Sequence, residues 1–144
     1  MKIVETRRNH LKPLVQIGKQ HWFYENWINT EYMSNTLDKK GFHFTAMLNG
    51  KVAGGVMIIE EDYPKYWIYF LAVDKSCQRR GIGTALMKQV EKKLKKKCVI
   101  FTDLEKNDVS GLKFYRKSGF IEMGKVREWF EGERKGIIMA KKVR

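Results

Sequence analysis

An apolar run followed by a glycine-containing loop and a helical pattern constrains this chain more than any other feature. The run extends from Trp67 to Val73 and stops at Asp74, and the loop that follows contains Gly81 and Gly83. A strand, loop and helix in that order bring unpaired backbone N–H groups and the positive end of a helix dipole to one point. The sequence therefore predicts an anion-binding turn suited to phosphate.

The composition of the loop also favours an anion-binding turn. Gly81 and Gly83 lack a Cβ, which lets a ligand approach the backbone, and Arg79 and Arg80 add positive charge. A tight turn that only starts a helix is the alternative. The dinucleotide-binding motif fits poorly because Leu86 stands where its third glycine belongs, and the Gly-Lys-Ser/Thr of nucleotide hydrolases is absent.

The segment after the loop predicts a βαβ unit. Apolar residues spaced by four run from Ile82 to Leu94, which favours an amphipathic helix, and Val99 to Leu104 reads as the next strand. Two strands joined in this way should be parallel, and the crossover between them should be right-handed. We expect Val73 and Leu104 to lie at the same edge, where ligands of such sheets bind.

The other elements follow from caps, turns and alternation. We predict a first strand in residues 1–5 and a helix capped by Asn9, with Pro13 in its first turn, running toward Ile28. Asn49-Gly50 predicts a hairpin turn, and Gly54-Gly55 a bulge. The remaining expectations are a helix over 31–40 capped by Thr30 and ended by Gly41, strands over 42–48 and 52–60, a helix capped by Asp108 or Asn107 and ended by Gly119, and a closing antiparallel pair over 120–126 and 136–142.

Aromatic residues crowd the end of the first predicted helix, at Trp22, Phe23, Tyr24 and Trp27. Core packing is the simpler interpretation. The alternative is that some of them line a pocket for a small acceptor, since aromatic side chains commonly line such sites.

Length, composition and charge limit the class of protein. The 144 residues suit a single domain, 1–144, and 43% hydrophobic content favours a folded globule. A signal-peptide core, an 18-residue apolar run and a cysteine framework are all missing, so we expect a cytoplasmic protein without a membrane partner. The net charge of +13 favours anionic partners. A nucleic-acid partner is not favoured because no recognition motif accompanies the charge. The sequence is also compatible with a homodimer.

Two motifs together resemble the GNAT superfamily of N-acetyltransferases. Gln78-x-x-Gly81-x-Gly83 after a strand is similar to its acetyl-coenzyme A signature. The segment Phe114-Tyr115-x-x-x-Gly119-Phe120 is similar to its second motif, although Asp108 stands where asparagine is expected and Gly111 where alanine is expected.

The resemblance implies an α/β fold, the GNAT acyl-CoA N-acyltransferase fold, with a central mixed sheet, flanking helices and a splayed pair of parallel strands. Acetyl-coenzyme A would enter between these strands, and no metal would be needed. The residues that the resemblance assigns to the cofactor are Leu71, Ala72, Val73, Gln78, Arg79, Arg80, Gly81, Ile82, Gly83, Thr84, Asp108, Gly111 and Tyr115.

The implied reaction is direct attack of a primary amine on the thioester. An alkylammonium, with a pKa near ~10.4, must first lose a proton, and the departing thiolate must gain one. By resemblance Tyr115 donates to the sulfur, although a merely structural hydroxyl is the alternative. By resemblance to members that acetylate ribosomal-protein N-termini, Asp103 is the candidate base, with Glu60, Glu61 or a water relay as rivals. The glutamate base of histone-acetylating members is absent because Trp67 stands at its position.

The expected function is therefore acetyl transfer to a protein N-terminus, a lysine or a small-molecule amine. An inactive binding module of the same fold, with a basic surface for nucleic acid or an acidic partner, is the alternative. Steeply salt-dependent binding of nucleic acid without thiol release would favour that alternative.

Overall fold

The computed structural model describes residues 1–22, 26–94, 97–130 and 134–144. The strands are β1 (Lys2–Glu5), β2 (Gly41–Leu48), β3 (Lys51–Glu60), β4 (Lys65–Val73), β5 (Cys98–Glu105), β6 (Ile121–Phe130) and β7 (Arg134–Val143). The helices are α1 (Arg8–His21), α2 (Thr30–Leu37), α3 (Ile82–Lys93) and α4 (Val109–Lys117). Each strand and helix predicted from the sequence is present within a few residues of its expected bounds, except at the end of the first helix.

The strands form one seven-stranded sheet in the order β1-β2-β3-β4-β5-β7-β6. The pairs with a described register are antiparallel except β4 with β5, which confirms the parallel pair of the predicted βαβ unit. The parallel register runs from Lys65↔Val99 to Trp67↔Phe101. β4 continues for six residues beyond Trp67, to Val73. A mixed sheet with one parallel pair and four helices is the predicted GNAT fold.

The first helix starts and ends earlier than the sequence suggested. Its N-cap is Arg7, whose extended backbone precedes the helix and whose N–H donates to His10 Nδ1 at 3.0 Å. Asn9 therefore lies inside the helix, and the predicted cap was wrong by two positions. Pro13 is the sixth residue of α1, one turn later than expected. The helix ends at His21, and Tyr24, through which it was predicted to run, lies outside the described residues.

The predicted boundaries of α2 also needed correction. Asn29 is the N-cap, and its side chain accepts the Tyr32 N–H at 2.7 Å, so Thr30 is the first helical residue. Gly41 does not end this helix but opens β2. A Cβ at that position would lie 1.9 Å from the Ile58 carbonyl oxygen, so the close approach of β3 requires glycine.

The predicted turn and bulge of the β2–β3 hairpin are confirmed. Asn49 and Gly50 both adopt left-handed backbone, with φ of 53° and 75°, as a two-residue hairpin turn of this kind requires. The register shifts between Ala46 and Met47, where β3 carries one extra residue beside Gly54.

The chain forms two compact units. The first unit comprises Met1–Ile59 and Tyr69–Leu94, and the second comprises Glu60–Ile68 and Lys95–Arg144. In the first unit α1 buries its apolar face, and Trp22 and Trp27 pack half-buried against that core, as the simpler interpretation predicted. Phe23 and Tyr24 lie outside the described residues. The buried side chains of the second unit include Tyr66, Ile100, Leu104, Tyr115, Phe120, Ile137 and Met139.

Candidate active site

The start of α3 in the first unit has the geometry of an anion-binding turn. Gly81 is its N-cap with φ of 75°, and Arg79 is also left-handed at 68°. Left-handed residues of this kind turn successive backbone N–H groups toward one point. Gly81 has no side chain to cap the helix, so the N–H groups of the first turn are open to a ligand. Arg79, Arg80 and Gly81 are exposed.

The segment between β4 and α3 is held by hydrogen bonds. Asp74 caps a short 3-10 turn, Lys75–Cys77, by accepting the Ser76 N–H at 2.9 Å and the Ser76 hydroxyl at 2.7 Å. These hydrogen bonds lower the pKa of Asp74. From α1, the Gln20 side chain accepts the Lys75 N–H at 2.9 Å. The loop that carries Arg79 therefore starts from a fixed position.

The end of β4 is fixed by a histidine that sequence analysis did not single out. The Val73 carbonyl accepts from His21 Nε2 at 2.8 Å, so His21 must carry its proton on that nitrogen. The Asp74 N–H donates to the Ala53 carbonyl at 2.8 Å. Of the three β4 residues assigned to the cofactor, Val73 thus has its carbonyl already hydrogen-bonded within the protein.

Tyr115 of α4 lies buried in the second unit. Its ring meets Phe114 and Phe120 edge-on at centroid distances of 5.2 and 5.1 Å, and its hydroxyl is hydrogen-bonded to Thr102 of β5. Burial raises the pKa of Tyr115 far above its ordinary value, and the Thr102 hydrogen bond opposes that shift only partly. The phenol therefore keeps its proton throughout the physiological range, as a proton donor must.

Asp103 follows Thr102 on β5, so its side chain points to the opposite face of the strand. It is half-buried, and its Oδ2 accepts the indole N–H of Trp129 at 2.5 Å. No signal in the sequence joined these two residues, because they lie 26 positions apart and meet through the pairing of β5, β7 and β6.

The rival carboxylates are on β3 and in the turn after it. Glu60 Oε1 accepts the Tyr66 hydroxyl at 3.0 Å. Burial and then the Glu60 side chain raise the pKa of Tyr66 to about 12. The Glu61 backbone N–H donates to the Lys65 carbonyl, closing the turn between β3 and β4.

Asp108 and Gly111 form the N-terminal cap of α4. Asp108 Oδ1 accepts the Gly111 N–H at 2.9 Å. A Cβ on Gly111 would lie 2.5 Å from Asp108 Oδ2, so the glycine makes room for the carboxylate. The two departures from the GNAT motif are thus linked: an aspartate cap folded over the helix start requires glycine three residues later.

The sequence profile of the acetyltransferase (GNAT) family matches residues 6–120. This chain belongs to that family. An uncharacterized N-acetyltransferase of Methanocaldococcus jannaschii is 28% identical over 102 residues, which are 69% of this chain and 65% of that protein. The chain thus spans just under two thirds of that relative's length.

Solved structures share the fold of this GNAT chain along its whole length. The ribosomal-protein-S18-alanine N-acetyltransferase of Escherichia coli superposes with a TM-score of 0.83 at 21% identity. The superposition covers 99% of this chain and 93% of that enzyme. An aminoglycoside 6′-N-acetyltransferase complexed with coenzyme A superposes with a TM-score of 0.81 at 18% identity. The superposition covers 100% of this chain and 98% of that enzyme. At these identities the likeness shows the fold.

The residues assigned to the cofactor and to catalysis in this GNAT chain divide between the units. Leu71 to Thr84 lie in the first, whereas Asp103, Asp108, Gly111 and Tyr115 lie in the second. Within the described ranges, histidine, cysteine, aspartate and glutamate form no cluster that could hold a metal ion. None of the helices described is long and apolar enough to cross a membrane.

Proposed function

We propose that this GNAT chain is an N-acetyltransferase that moves the acetyl group of acetyl-coenzyme A to a primary amine. The observation that carries the proposal is the uncapped start of α3, where Arg79 and Gly81 are left-handed and exposed. Main-chain donors in this arrangement suit a pyrophosphate, and two guanidinium groups flank them. The residues proposed to bind the cofactor are Leu71, Ala72, Val73, Gln78, Arg79, Arg80, Gly81, Ile82, Gly83, Thr84, Asp108, Gly111 and Tyr115.

The proton transfers are proposed for two residues of the second unit. Asp103 accepts the proton that the ammonium must lose before it can attack, and Tyr115 supplies a proton to the departing sulfur. The amine nitrogen bonds directly to the acetyl carbon, and the carbon–sulfur bond breaks, with no covalent intermediate on the protein. Glu60 is the weaker candidate for the base because its carboxylate already accepts the Tyr66 hydroxyl.

The acceptor class is inferred from the structural relatives and from the net charge. The relatives named above act on a protein alanine and on an aminoglycoside, which supports a primary amine in general. A protein N-terminus, a lysine and a small amine are all within the proposal. The charge of +13 disfavours strongly basic peptides and suits a neutral or acidic one.

Two measurements test the proposal. Calorimetry with acetyl-coenzyme A should show saturable binding, and a panel of primary amines should release free thiol from it in stoichiometric amounts. Absence of binding would end the proposal. Binding without thiol release from any amine would favour the inactive binding module instead.

A further inference from the structure

Trp129 lies in an irregular part of β6 that aims its side chain toward β5. β6 pairs with β7 up to Val126↔Gly136 and again at Phe130↔Arg134. β6 advances four residues over this stretch while β7 advances two, so β6 bulges. Glu128 adopts a left-handed backbone with φ of 53° inside the bulge. Strained and bulged strands of this kind often re-aim a side chain at a functional site.

Gly136 provides the seat for the Trp129 ring. A Cβ on Gly136 would lie 2.6 Å from Trp129 Cδ1 and 2.7 Å from its Cγ, so the ring crosses the bare backbone of β7. Beyond that backbone, the indole N–H reaches Asp103 Oδ2 on β5 at 2.5 Å. The bulge, the glycine and the hydrogen bond all fix one orientation of the indole.

This fixed ring is exposed rather than packed away. Trp129 keeps 42% of its surface accessible although it is among the largest apolar side chains of the second unit. One carboxylate oxygen of Asp103 is taken by the indole N–H, while Oδ1 has no hydrogen bond among the described contacts. An exposed indole beside a carboxylate presents an aromatic face and a negative charge together, which is the combination that attracts an alkylammonium.

We propose that Trp129 and Asp103 form the ammonium-binding site for the acceptor, with Trp129 as a positioning and specificity residue. The inference rests on the proposed acetyl transfer and names its acceptor site. The indole N–H holds the Asp103 carboxylate in one rotamer, so that Oδ1 meets the incoming nitrogen. The indole face holds the cationic amine and its first methylene groups.

Kinetics with n-butylamine separate these two contributions. Trp129→Phe removes the N–H and keeps a ring, so kcat should fall about tenfold, the value of one charge-assisted hydrogen bond, with little change in KM. Trp129→Leu also removes the ring and should raise the KM for the amine a further two- to fivefold, about the value of an exposed cation–π contact. Met123→Ala, at an exposed apolar side chain of the same strand β6, is the control and should change neither constant.

A double-mutant cycle tests whether Trp129 acts through Asp103. Trp129→Phe should have no further effect on kcat when Asp103 is already replaced by Asn, because the carboxylate it positions is gone. Equal effects in both backgrounds would overturn the positioning role. An unchanged dissociation constant for acetyl-coenzyme A in every variant would show that each still folds.

Nuclear magnetic resonance supplies a readout independent of turnover. Titrating the wild type with n-butylammonium chloride should shift the Trp129 indole N–H resonance saturably, and Asp103→Asn should abolish that shift. A Trp129 resonance that does not respond would overturn the inference even if amines are acetylated. A saturable response without acetyl transfer would support this site and refute the proposed function.

Discussion

The proposed acid illustrates how burial alone can prepare a residue for its role. Tyr115 is 9% exposed, and burial raises its pKa although the Thr102 hydrogen bond acts in the opposite direction. A phenol in water would begin to ionise near pH 10, whereas this one stays neutral. The protein thus keeps the phenol proton in place, available to the departing sulfur.

Replacing Tyr115 by phenylalanine should lower kcat by about 10²- to 10⁴-fold, the usual contribution of general acid catalysis. The ring contacts with Phe114 and Phe120 remain, so stability should change little. Because the pKa of Tyr115 is raised, its ionisation should produce no fall in the wild-type rate up to about pH 10, so the rate–pH profiles of both proteins should share one shape. Steady-state kinetics across this range provide the measurement.

Tyr66→Phe is the matched control for that experiment. Tyr66 is a buried phenol of the same unit with a raised pKa, but its partner is Glu60 rather than Thr102. Its removal should leave kcat within about twofold of the wild type. A Tyr115→Phe enzyme that turns over as fast as the wild type would refute the acid role.

At the scale of single residues, the sequence predicted identities better than partners. Tyr115 and Asp103 stood out because a motif and a strand end place them. Trp129 could not be joined to Asp103 in advance, since their contact depends on a two-residue bulge that no local pattern announces. His21 escaped notice for a similar reason, because it meets the Val73 carbonyl across 52 positions.

Among the elements, the loop before α3 combines binding and strain. Arg79 has a left-handed backbone with φ of 68°, a conformation that costs an L-residue about 1–2 kcal/mol and that glycine adopts without this cost. Arg80 is not left-handed. Both side chains are exposed guanidinium groups on the same loop. The two arginines therefore differ in backbone strain but not in charge, which makes them a natural pair for mutation.

Arg79→Gly and Arg80→Gly should weaken acetyl-coenzyme A binding to a similar degree, about two- to tenfold, because each removes one charge. Their effects on stability should differ. Glycine relieves the strain at position 79 but only adds unfolded-state entropy at position 80, so the free energies of unfolding should differ by about 1–2 kcal/mol. Urea denaturation and calorimetry measure the two quantities. Equal stabilities would contradict the strain argument.

The cap of α4 predicts that Gly111→Ala will change stability in opposite directions in the presence and in the absence of the Asp108 side chain. Asp108→Ala removes a cap and should destabilise by about 1 kcal/mol. Gly111→Ala should destabilise the wild type because its Cβ would displace the Asp108 carboxylate. With Asp108 already replaced by alanine, the same substitution should stabilise by up to about 1 kcal/mol through helix propensity.

Asp108→Asn is the control for charge in this cycle, since an amide keeps the cap and leaves Gly111 crowded. The coupling is tested by the free energies of unfolding, measured in urea, of the wild type, Asp108→Ala, Gly111→Ala and the double variant. If Gly111→Ala changes the free energy of unfolding in the same direction with and without Asp108, the cap does not explain the glycine.

Most element boundaries could be predicted because they depend on local chemistry. Asn49-Gly50 and Gly119 took the left-handed backbones that their neighbours implied. The caps of α1 and α2 were misplaced because other side chains hold the two helix starts: His10 Nδ1 accepts the Arg7 N–H, and Asn29 Oδ1 accepts the Tyr32 N–H. Gly41 was misread because a close strand approach and a helix end both select glycine.

At the scale of the whole molecule, the net charge of +13 affects the two substrates in opposite directions. A positive field raises the local concentration of the anionic cofactor and lowers that of a cationic amine. Added salt shortens the Debye length from about 10 Å at 0.1 M to about 3 Å at 1 M, which weakens both effects. The net charge was predictable from composition, whereas the left-handed backbone that shapes the loop at Arg79 and Arg80 is seen only in the fold.

Raising sodium chloride from about 0.05 M to about 0.5 M should therefore raise the KM for acetyl-coenzyme A and leave the KM for n-butylamine unchanged or lower. Acetyl-dephospho-coenzyme A carries fewer negative charges, so its KM should rise less steeply with salt. Lys88→Glu on the exposed face of α3 should reduce the slope for the cofactor without changing kcat, since it alters only the field. If both substrates respond to salt in the same direction, local contacts rather than net charge control their binding.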